Sequence, residues 1–524
     1  MTSSADLLLV GLNRPQREAV VHEGPPLLVL AGAGSGKTRV LTRRIAWLIS
    51  ERGVHPASIL AITFTNKAAA EMRERVREMV GPSAAQMWVS TFHSACVRIL
   101  RRDVDKLGLK SSFTIYDAAD SKRLITQVLN GLGLDTKKYQ PAAVLNWVSN
   151  AKNQLQGPQD LAPGVTTALE RTYLECYTEY QKRLRQANAL DFDDLIMSTV
   201  SLLQQHPEIR EYWRRRFRQV LVDEYQDTNH AQYELIHQLC ADDLVGETGQ
   251  PPRISPPGLM VVGDADQSIY GFRGADISNI LEFEQGFPSA RVIMLEQNYR
   301  STQNILDAAN AVIERNSGRR PKQLWTDADH GEPLVGYVAD DEHGEARFVA
   351  DEIDRLGDEQ GTRPADVAVF YRTNAQSRVF EEIFVRVGLP YRVVGGVRFY
   401  ERKEVRDALA YLRVLANPDD EVALHRILNT PRRGIGERAA ACVEALSRRE
   451  AISFWEALQR AAEAPGLATR SLKSIAQFVE MIQGLQSMVL ADERVDVVLE
   501  ELLVASGYLA SLETSIDPQD EARL

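Results

Sequence analysis

The stretch from Leu27 to Arg39 reads LLVLAGAGSGKTR and constrains the fold more than any other part of the sequence. Four apolar residues, Leu27 to Leu30, run into a glycine-rich loop, and the loop runs into a helix opened by Lys37 and Thr38. This is a phosphate-binding loop of the [A/G]xxxxGK[S/T] form with Ala31 in first position. Gly32, Gly34 and Gly36, with Ala33 and Ser35 between them, let the backbone curl so that successive N–H groups point inward at phosphate oxygens. Lys37 is expected to reach the β- and γ-phosphates and the Thr38 hydroxyl to ligate Mg²⁺. Val40, Leu41, Ile45, Leu48 and Ile49 fall on one face of the following helix, which fixes its positive N-terminal end beneath the phosphates. The bare pattern also arises as a chance glycine turn; the strand before it and the amphipathic helix after it argue against that. A bound nucleotide follows from this stretch, but its use does not.

A chain of 524 residues exceeds one domain, and roughly three or four are expected. With 44% hydrophobic and 25% charged residues, the composition is that of a soluble globular protein. No run approaches about 18 consecutive apolar residues, so no membrane span is expected. The N-terminus, MTSSADLLLVGL, lacks a basic leader and a cleavage-like site. Cys96, Cys176, Cys240 and Cys442 lie far apart with no CxxC spacing and read as reduced thiols of a cytoplasmic protein. The net charge of −11 neither supports nor excludes a nucleic-acid partner, because local basic clusters would carry such a surface.

Upstream of the loop, Gln16 in LNRPQ is either a surface residue or an amide placed to donate to and accept from adenine. A second buried strand, Ser58 to Thr63, ends in Phe64-Thr65-Asn66-Lys67 and a helix from Ala68 to Met79. Ligands of open α/β sheets bind at strand carboxyl ends, so Phe64 reads as a core residue or as an exposed stacking platform. A third strand, Met87 to Ser90, delivers Thr91-Phe92-His93-Ser94. From about Ala95 to Arg214 the periodicity turns helical, with few strand-like runs, which suggests an insertion. Inside it, Asp191, Asp193 and Asp194 of LDFDDL fit a helix N-terminus better than a metal site.

The core resumes with the strand Val220 to Val222, which ends in Asp223-Glu224. An apolar strand ending in this pair supplies a carboxylate for Mg²⁺ (Asp223) and one to polarise the attacking water (Glu224). Gly246 to Gly258, with four prolines, reads as a surface loop. The strand Leu259 to Val262 then delivers Gln267, suited to sensing a γ-phosphate, and Tyr270 and Phe272, which stack on bases or cap a core. After the strand Arg291 to Leu295, Arg300 is the candidate cation for the transferring phosphate. A second alternating pattern follows, with strands Leu334 to Val338, Val367 to Tyr371 and Tyr391 to Val394 and helices Glu345 to Leu356 and Ser377 to Val387. Further on, Arg432-Arg433-Gly434-Ile435-Gly436 reads as a basic turn for a DNA phosphate or as a plain helix connection. Asp517-Pro518 starts a helix that the sequence leaves only about two turns long, which suggests an incomplete chain.

LNRPQ, AGAGSGKT, ITFTNKAAAEM, STFHS, LDFDDL, VDEYQDTN, VGDADQSIYGFRGAD, LEQNYRST, YRTNAQSR and RRGIG occur together and in order. In this the chain resembles the UvrD/Rep/PcrA-type DNA helicases of superfamily 1, the bacterial UvrD branch most of all, over essentially its whole length. The resemblance implies an α/β fold of two RecA-like parallel-sheet cores, each with a mostly helical insertion, the second core being incomplete. It maps the first core to 1–92 and 215–295, its insertion to 93–214, the second core to 296–393 and the second insertion to 394–524. It places adenine on Gln16, Arg39 and Tyr299, phosphates and Mg²⁺ on Lys37, Thr38 and Asp223, water activation on Glu224, and the γ-phosphate on Gln267 and Arg300. DNA contacts fall on Phe64, Thr65, Asn66, Thr91, His93, Phe192, Tyr270, Phe272 and Arg273, and on the turn of Arg432, Arg433, Gly434 and Gly436.

The implied activity is ATP- and Mg²⁺-dependent movement 3′ to 5′ along single-stranded DNA, unwinding duplexes in repair and replication. The partners would be single strands, single-strand/duplex junctions and repair proteins, with the chain a monomer or a DNA-induced dimer. The family often has Trp where Phe272 stands, and its later motifs would lie beyond Leu524, so activity would need the remainder of the second core. A nucleotide-switched DNA-binding or recruitment protein without unwinding activity is the alternative. A small-molecule kinase would need an acceptor site and lid where the strand ends carry aromatic and polar residues.

Overall fold

The computed structural model describes residues 4–241, 255–271, 274–316, 319–394 and 403–513. Its strands are β1 (Leu27–Ala31), β2 (Ile59–Thr63), β3 (Trp88–Thr91), β4 (Thr114–Tyr116), β5 (Ala189–Asp191), β6 (Gln219–Val222), β7 (Gly258–Gly263) and β8 (Arg291–Leu295). Six of them form one sheet in the order β3-β2-β6-β7-β1-β8, with every neighbouring pair parallel. Successive side chains of these strands alternate between two cores. Leu28, Leu30, Leu60, Ile62, Val220, Val222 and Val261 enter one, while Leu27, Val29, Ala61, Leu221, Met260 and Val262 enter the other. Burial on both faces is why these strands read as unbroken apolar runs rather than alternating ones.

Helix Lys37–Ser50 leaves the end of β1 and helix Asn66–Val80 leaves the end of β2, so both N-termini lie at the carboxyl edge of the sheet. There the chain gathers its polar motifs, as doubly wound sheets do. Between β3 and β6 come the helices Phe92–Asp103, Ala118–Gly131, Pro141–Asn153, Ala168–Gln186, Phe192–Gln205 and Pro207–Arg216. The helical reading of this stretch holds, with one addition: β4 and β5 pair in parallel as a two-stranded ladder. Three-residue strands lack the length at which a period of two separates from helical periodicity.

The described residues 408–513 belong to the same compact unit as the sheet. Their helices enclose a core that includes Tyr411, Val443, Trp455, Phe478 and Ile482. Gly331–Asp407 form a second unit. Within it, helices Glu342–Gln360 and Ser377–Val387 pack through Ala346, Ala350, Ile353, Ile383 and Phe384. The three strands expected between 334 and 394 are not realised: among the described residues of this unit none joins a ladder. Val335, Val338 and Phe370 stay exposed there. An extended segment counts as a strand only when a neighbour accepts its N–H groups, and two helices supply no such edge. The loop read at Gly246 to Gly258 falls mostly outside the described residues, as does the helix start at Asp517.

Candidate nucleotide site and nucleic-acid interface

The loop after β1 is held from three sides. Gly32 donates its N–H to the Leu295 carbonyl at 3.0 Å, and the buried Ser35 closes the turn through its hydroxyl on the Gly32 carbonyl at 2.8 Å. Gly34 and Gly36 adopt φ values of 67° and 87°, a region open to glycine and strained for other residues. Gln16, buried in helix Arg14–Val21, donates its amide to the Ser35 carbonyl at 2.8 Å and accepts from the Asn13 N–H at 3.0 Å. Both ends of that amide are thus engaged in bracing the loop. Arg39 is exposed, and its guanidinium lies over Gly11.

Strand β6 brings in the carboxylates. Lys37 Nζ lies 2.9 Å from Glu224 Oε2, so the loop lysine and the candidate base are paired to each other. Glu224 sits at φ 48° and ψ 46°, a left-handed conformation that costs a residue with a Cβ about 1–3 kcal/mol and is typical of strained functional positions. Asp223 is buried, and one of its oxygens accepts the Glu224 N–H at 3.0 Å. Burial, reinforced by the Glu224 charge, pushes its carboxyl up to about 6. The same two causes act on Asp227, also pushed up to about 6.

A cavity of about 350 Å³ opens beside these groups, lined by Thr38, Asp223, Glu224 and Gln267 together with Phe64, Thr65, Ile269 and Tyr270. A hydroxyl and one buried, hard-to-ionise carboxylate fit Mg²⁺, which takes few protein ligands and draws the rest from phosphates and water. Gln267 donates to Asp264 Oδ2 at 2.5 Å. The rings of Phe64 and Tyr270 stand 4.6 Å apart and tilted, which makes Phe64 a half-buried wall of the cavity rather than a sheet-core residue. Phe272 and Arg273 lie outside the described residues.

The end of β8 closes the other side. Asn298 donates to the Ala33 carbonyl at 2.6 Å and accepts the N–H groups of Arg300 and Ser301, both at 2.8 Å. Tyr299 donates its N–H to the Gly34 carbonyl at 3.0 Å, with its ring exposed and its hydroxyl on Gln297. Arg300 is exposed, and its guanidinium makes no ion pair or hydrogen bond among the described residues. A Cβ at Gly34 would stand 2.8 Å from the Arg300 Cβ, so this glycine is what lets the two segments approach.

A second polar rim runs along β3. Thr91 caps helix Phe92–Asp103 through the Ser94 N–H at 3.3 Å. His93, its imidazole pKa lowered by burial, meets the half-exposed ring of Phe192 edge-on at 5.5 Å. Thr65 caps helix Asn66–Val80 through the Ala68 N–H, with Asn66 exposed beside it. In the turn before helix Glu437–Glu450, Arg432 points outward. Arg433 instead donates to the carbonyls of Ile427, Thr430 and Ser506 and to the Tyr411 hydroxyl, while Gly434 takes φ 81° and Gly436 caps the helix.

Residues 12–288 match the family model for the UvrD/REP helicase N-terminal domain, and residues 293–464 match that for the UvrD-like helicase C-terminal domain. The chain belongs to the UvrD-type helicase family. It is 59% identical to the ATP-dependent DNA helicase UvrD1 of Mycobacterium tuberculosis, over all of this chain and 67% of the relative. It is 56% identical to UvrD1 of Mycobacterium leprae over the same shares. With the ATP-dependent DNA helicase PcrA of Bacillus subtilis it shares 48% identity over 93% of this chain and 64% of that relative.

Several residues that shape the site of this UvrD-type chain had no individual reading in the sequence. Gln226 stands in VDEYQDTN and Asn298 in LEQNYRST, yet amides that bridge backbone and carboxylate are defined only by their partners. Gln226 is buried, donates to Glu224 Oε2 and accepts from the Asp264 N–H, both at 2.9 Å. Lys322 and Leu324, from a stretch with no phosphate-loop signal, also reach the site: a Cβ on Gly32 would fall 2.1 Å from Leu324.

Proposed function

We propose that this chain is the motor of an ATP- and Mg²⁺-dependent DNA helicase that moves 3′ to 5′ on single-stranded DNA and opens duplexes at junctions during repair and replication. The observation that carries the reading is the cavity lined both by Thr38, Asp223, Glu224 and Gln267 and by Phe64 and Tyr270. A group that senses the phosphates and a pair of rings suited to stacking on a base share one set of walls. The names of the relatives, ATP-dependent DNA helicases, agree with it.

On this reading Lys37 leaves Glu224 when phosphate oxygens arrive, and Glu224 is freed to accept a proton from the attacking water. Mg²⁺ held by Thr38 and Asp223 would neutralise charge on the phosphates. Arg300 turns its free guanidinium to the γ-phosphate; arginines in that role contribute about 10³–10⁵ in rate. Gln16, Arg39 and Tyr299 flank the adenine, for which Gln16 has to exchange a present partner. Phe64, Phe192, Tyr270 and Phe272 stack on bases, each worth about 1–3 kcal/mol. Thr65, Asn66, Thr91, His93 and Arg273 follow the strand, while Arg432 and the backbone of Gly434 and Gly436 meet duplex phosphate, with Arg433 bracing that turn.

The test is strand displacement from a duplex with a 3′ single-stranded tail at saturating ATP, beside ATP hydrolysis with and without single-stranded DNA. Stimulated hydrolysis with displaced strand is expected. Stimulated hydrolysis without displacement would replace this reading with that of a nucleotide-switched DNA-binding protein.

A further inference from the structure

Lys322 lies outside every stretch whose chemistry the sequence suggested, yet its side chain is only 8% exposed and ends between two carboxylates. It pairs with Asp264, whose side chain is 2% exposed, and with Asp266 at 2.7 Å. Arg319 forks onto Asp266 at 2.8 and 3.1 Å. Asp264 is also the acceptor for the Gln267 amide at 2.5 Å, and its own N–H is donated to Gln226, whose amide in turn grips Glu224. From Lys322, Asp264 therefore leads through its carboxylate to the candidate γ-phosphate sensor, and through its backbone N–H and Gln226 to the candidate base.

Neighbours on its C-terminal side tie Lys322 to the glycine loop and to the segment bearing Arg300. Leu324 covers Gly32, and its backbone is held by Asn310 at 3.0 and 3.3 Å. Trp325 accepts the Asn298 N–H at 2.8 Å, and Asn298 binds the Ala33 carbonyl and the backbone of Arg300. The segment carrying Arg300 and the loop carrying Gln267 are thus joined through Lys322 rather than through the nucleotide alone.

We propose that Lys322 is a positioning residue of the nucleotide site: by pairing with Asp264 it fixes the residue whose carboxylate aims Gln267 and whose backbone N–H, through Gln226, holds Glu224 in register with the segment bearing Arg300. Burying a carboxylate this deeply is costly unless a cation stays beside it. Without Lys322 the Asp264 side chain is drawn from the position at which it accepts the Gln267 amide, and Gln267 loses its aim. Displacement of a reacting group by about 1 Å can cost about 10²-fold in rate.

The inference rests on the ATP-hydrolysis reading above, and the experiment separates the two. Steady-state hydrolysis is measured for the parent protein, Lys322→Met and Lys322→Arg, and ATP and ADP affinities are obtained by displacing a fluorescent ADP analogue. Lys322→Met is expected to lower kcat roughly 10- to 100-fold. It should also erase the preference for ATP over ADP that depends on Gln267, and Lys322→Arg should restore most of both. The double variant Lys322→Met/Asp264→Asn removes both charges and so avoids a stranded carboxylate; it should fold and show the same loss. A lowered melting temperature with kcat and the ATP/ADP ratio within about twofold of the parent, in either variant, overturns the role. A parent protein that binds nucleotide without hydrolysing it contradicts the hydrolysis reading, and the affinity ratio still decides the place of Lys322.

Discussion

Asp223 and Glu224 are adjacent carboxylates with opposite burdens. Glu224 has its charge matched by Lys37 at 2.9 Å, whereas Asp223 is buried, accepts a backbone N–H and lies beside the Glu224 charge. Its folded-state pKa is raised from 3.8 to about 6, so the folded chain holds a proton that the unfolded chain has released between those values. Stability therefore falls as pH rises through that window, and above it the ionised Asp223 costs the folded protein about 3 kcal/mol. Asp223→Asn is expected to raise the melting temperature of the nucleotide-free protein at pH 7.5, with the gain gone by pH 4. Thermal unfolding at the two pH values checks this, and a variant that melts no higher at pH 7.5 contradicts it. The same substitution should weaken Mg²⁺-dependent ATP binding, since the carboxylate that burdens the fold is the one offered to the metal. At Glu224 the expectation differs: Glu224→Gln keeps the amide-sized side chain and the grip of Gln226 but cannot accept a proton. ATP turnover should drop by about 10²–10⁴ while equilibrium binding of ATP persists. Retained turnover would remove Glu224 from the role of base.

The LDFDDL segment shows what a single element hides from its sequence. Its acids were legible as a helix start, and Asp191 does cap helix Phe192–Gln205 in a reciprocal capping box with Asp194. The partner was not legible. Lys152, fully buried at the end of helix Pro141–Asn153, binds Asp191 at 2.6 Å and Asp194 at 2.8 Å, and Tyr180 adds a bond to Asp191 at 3.0 Å. Burial alone would lower the Lys152 pKa, yet the two carboxylates hold it above the ordinary lysine range. Removing one member of a buried ion cluster strands the others, at about 3–5 kcal/mol. Lys152→Met should lose that much in denaturant unfolding, and adding Asp191→Asn and Asp194→Asn should recover a large part. A loss below about 1 kcal/mol would mean that the cluster is effectively solvated. The same distinction governs legibility elsewhere. The six sheet strands were readable because each is an apolar run bounded by loop motifs, and helix Ser377–Val387 because its apolar face repeats at helical spacing. The strand ladder expected in Gly331–Asp407 depended on neighbours that local pattern does not specify.

Residues hundreds of positions apart in sequence also set a contact within the first unit, that between the helices after β3 and the helices after Ala408. Asn417 donates to the Thr114 hydroxyl at 2.8 Å and the Ala187 carbonyl at 2.9 Å, so it seals the start of the β4–β5 ladder. The Tyr116 hydroxyl donates to Asp420 at 2.9 Å, and Arg413 spans Asp120 at 2.7 Å and Asp420 at 2.9 Å. Val422 completes the seam by entering a core shared with Leu124 and Tyr177 of the helices after β3. No local periodicity announces such a junction, because each polar residue taken alone reads as an ordinary surface group. Its energetics divide by burial. Asp420 is 0% and Asp120 6% exposed, so Arg413→Met leaves two carboxylates without their cation, at about 3–5 kcal/mol. Lys110 and Asp419 pair at 3.3 Å on the same seam, but the lysine side chain is 72% exposed, and Lys110→Ala should cost no more than about 1 kcal/mol. Amide hydrogen exchange at 114–116 and 189–191 reads the difference. Arg413→Met should speed exchange there by about 10²-fold or more. Lys110→Ala should change it little, and 0.5 M salt, which screens only exposed pairs, should reproduce the Lys110→Ala result alone. Equal effects of the two substitutions would mean that the junction is held by surface charge, and the helices after β3 would then part from those after Ala408 as ionic strength rises.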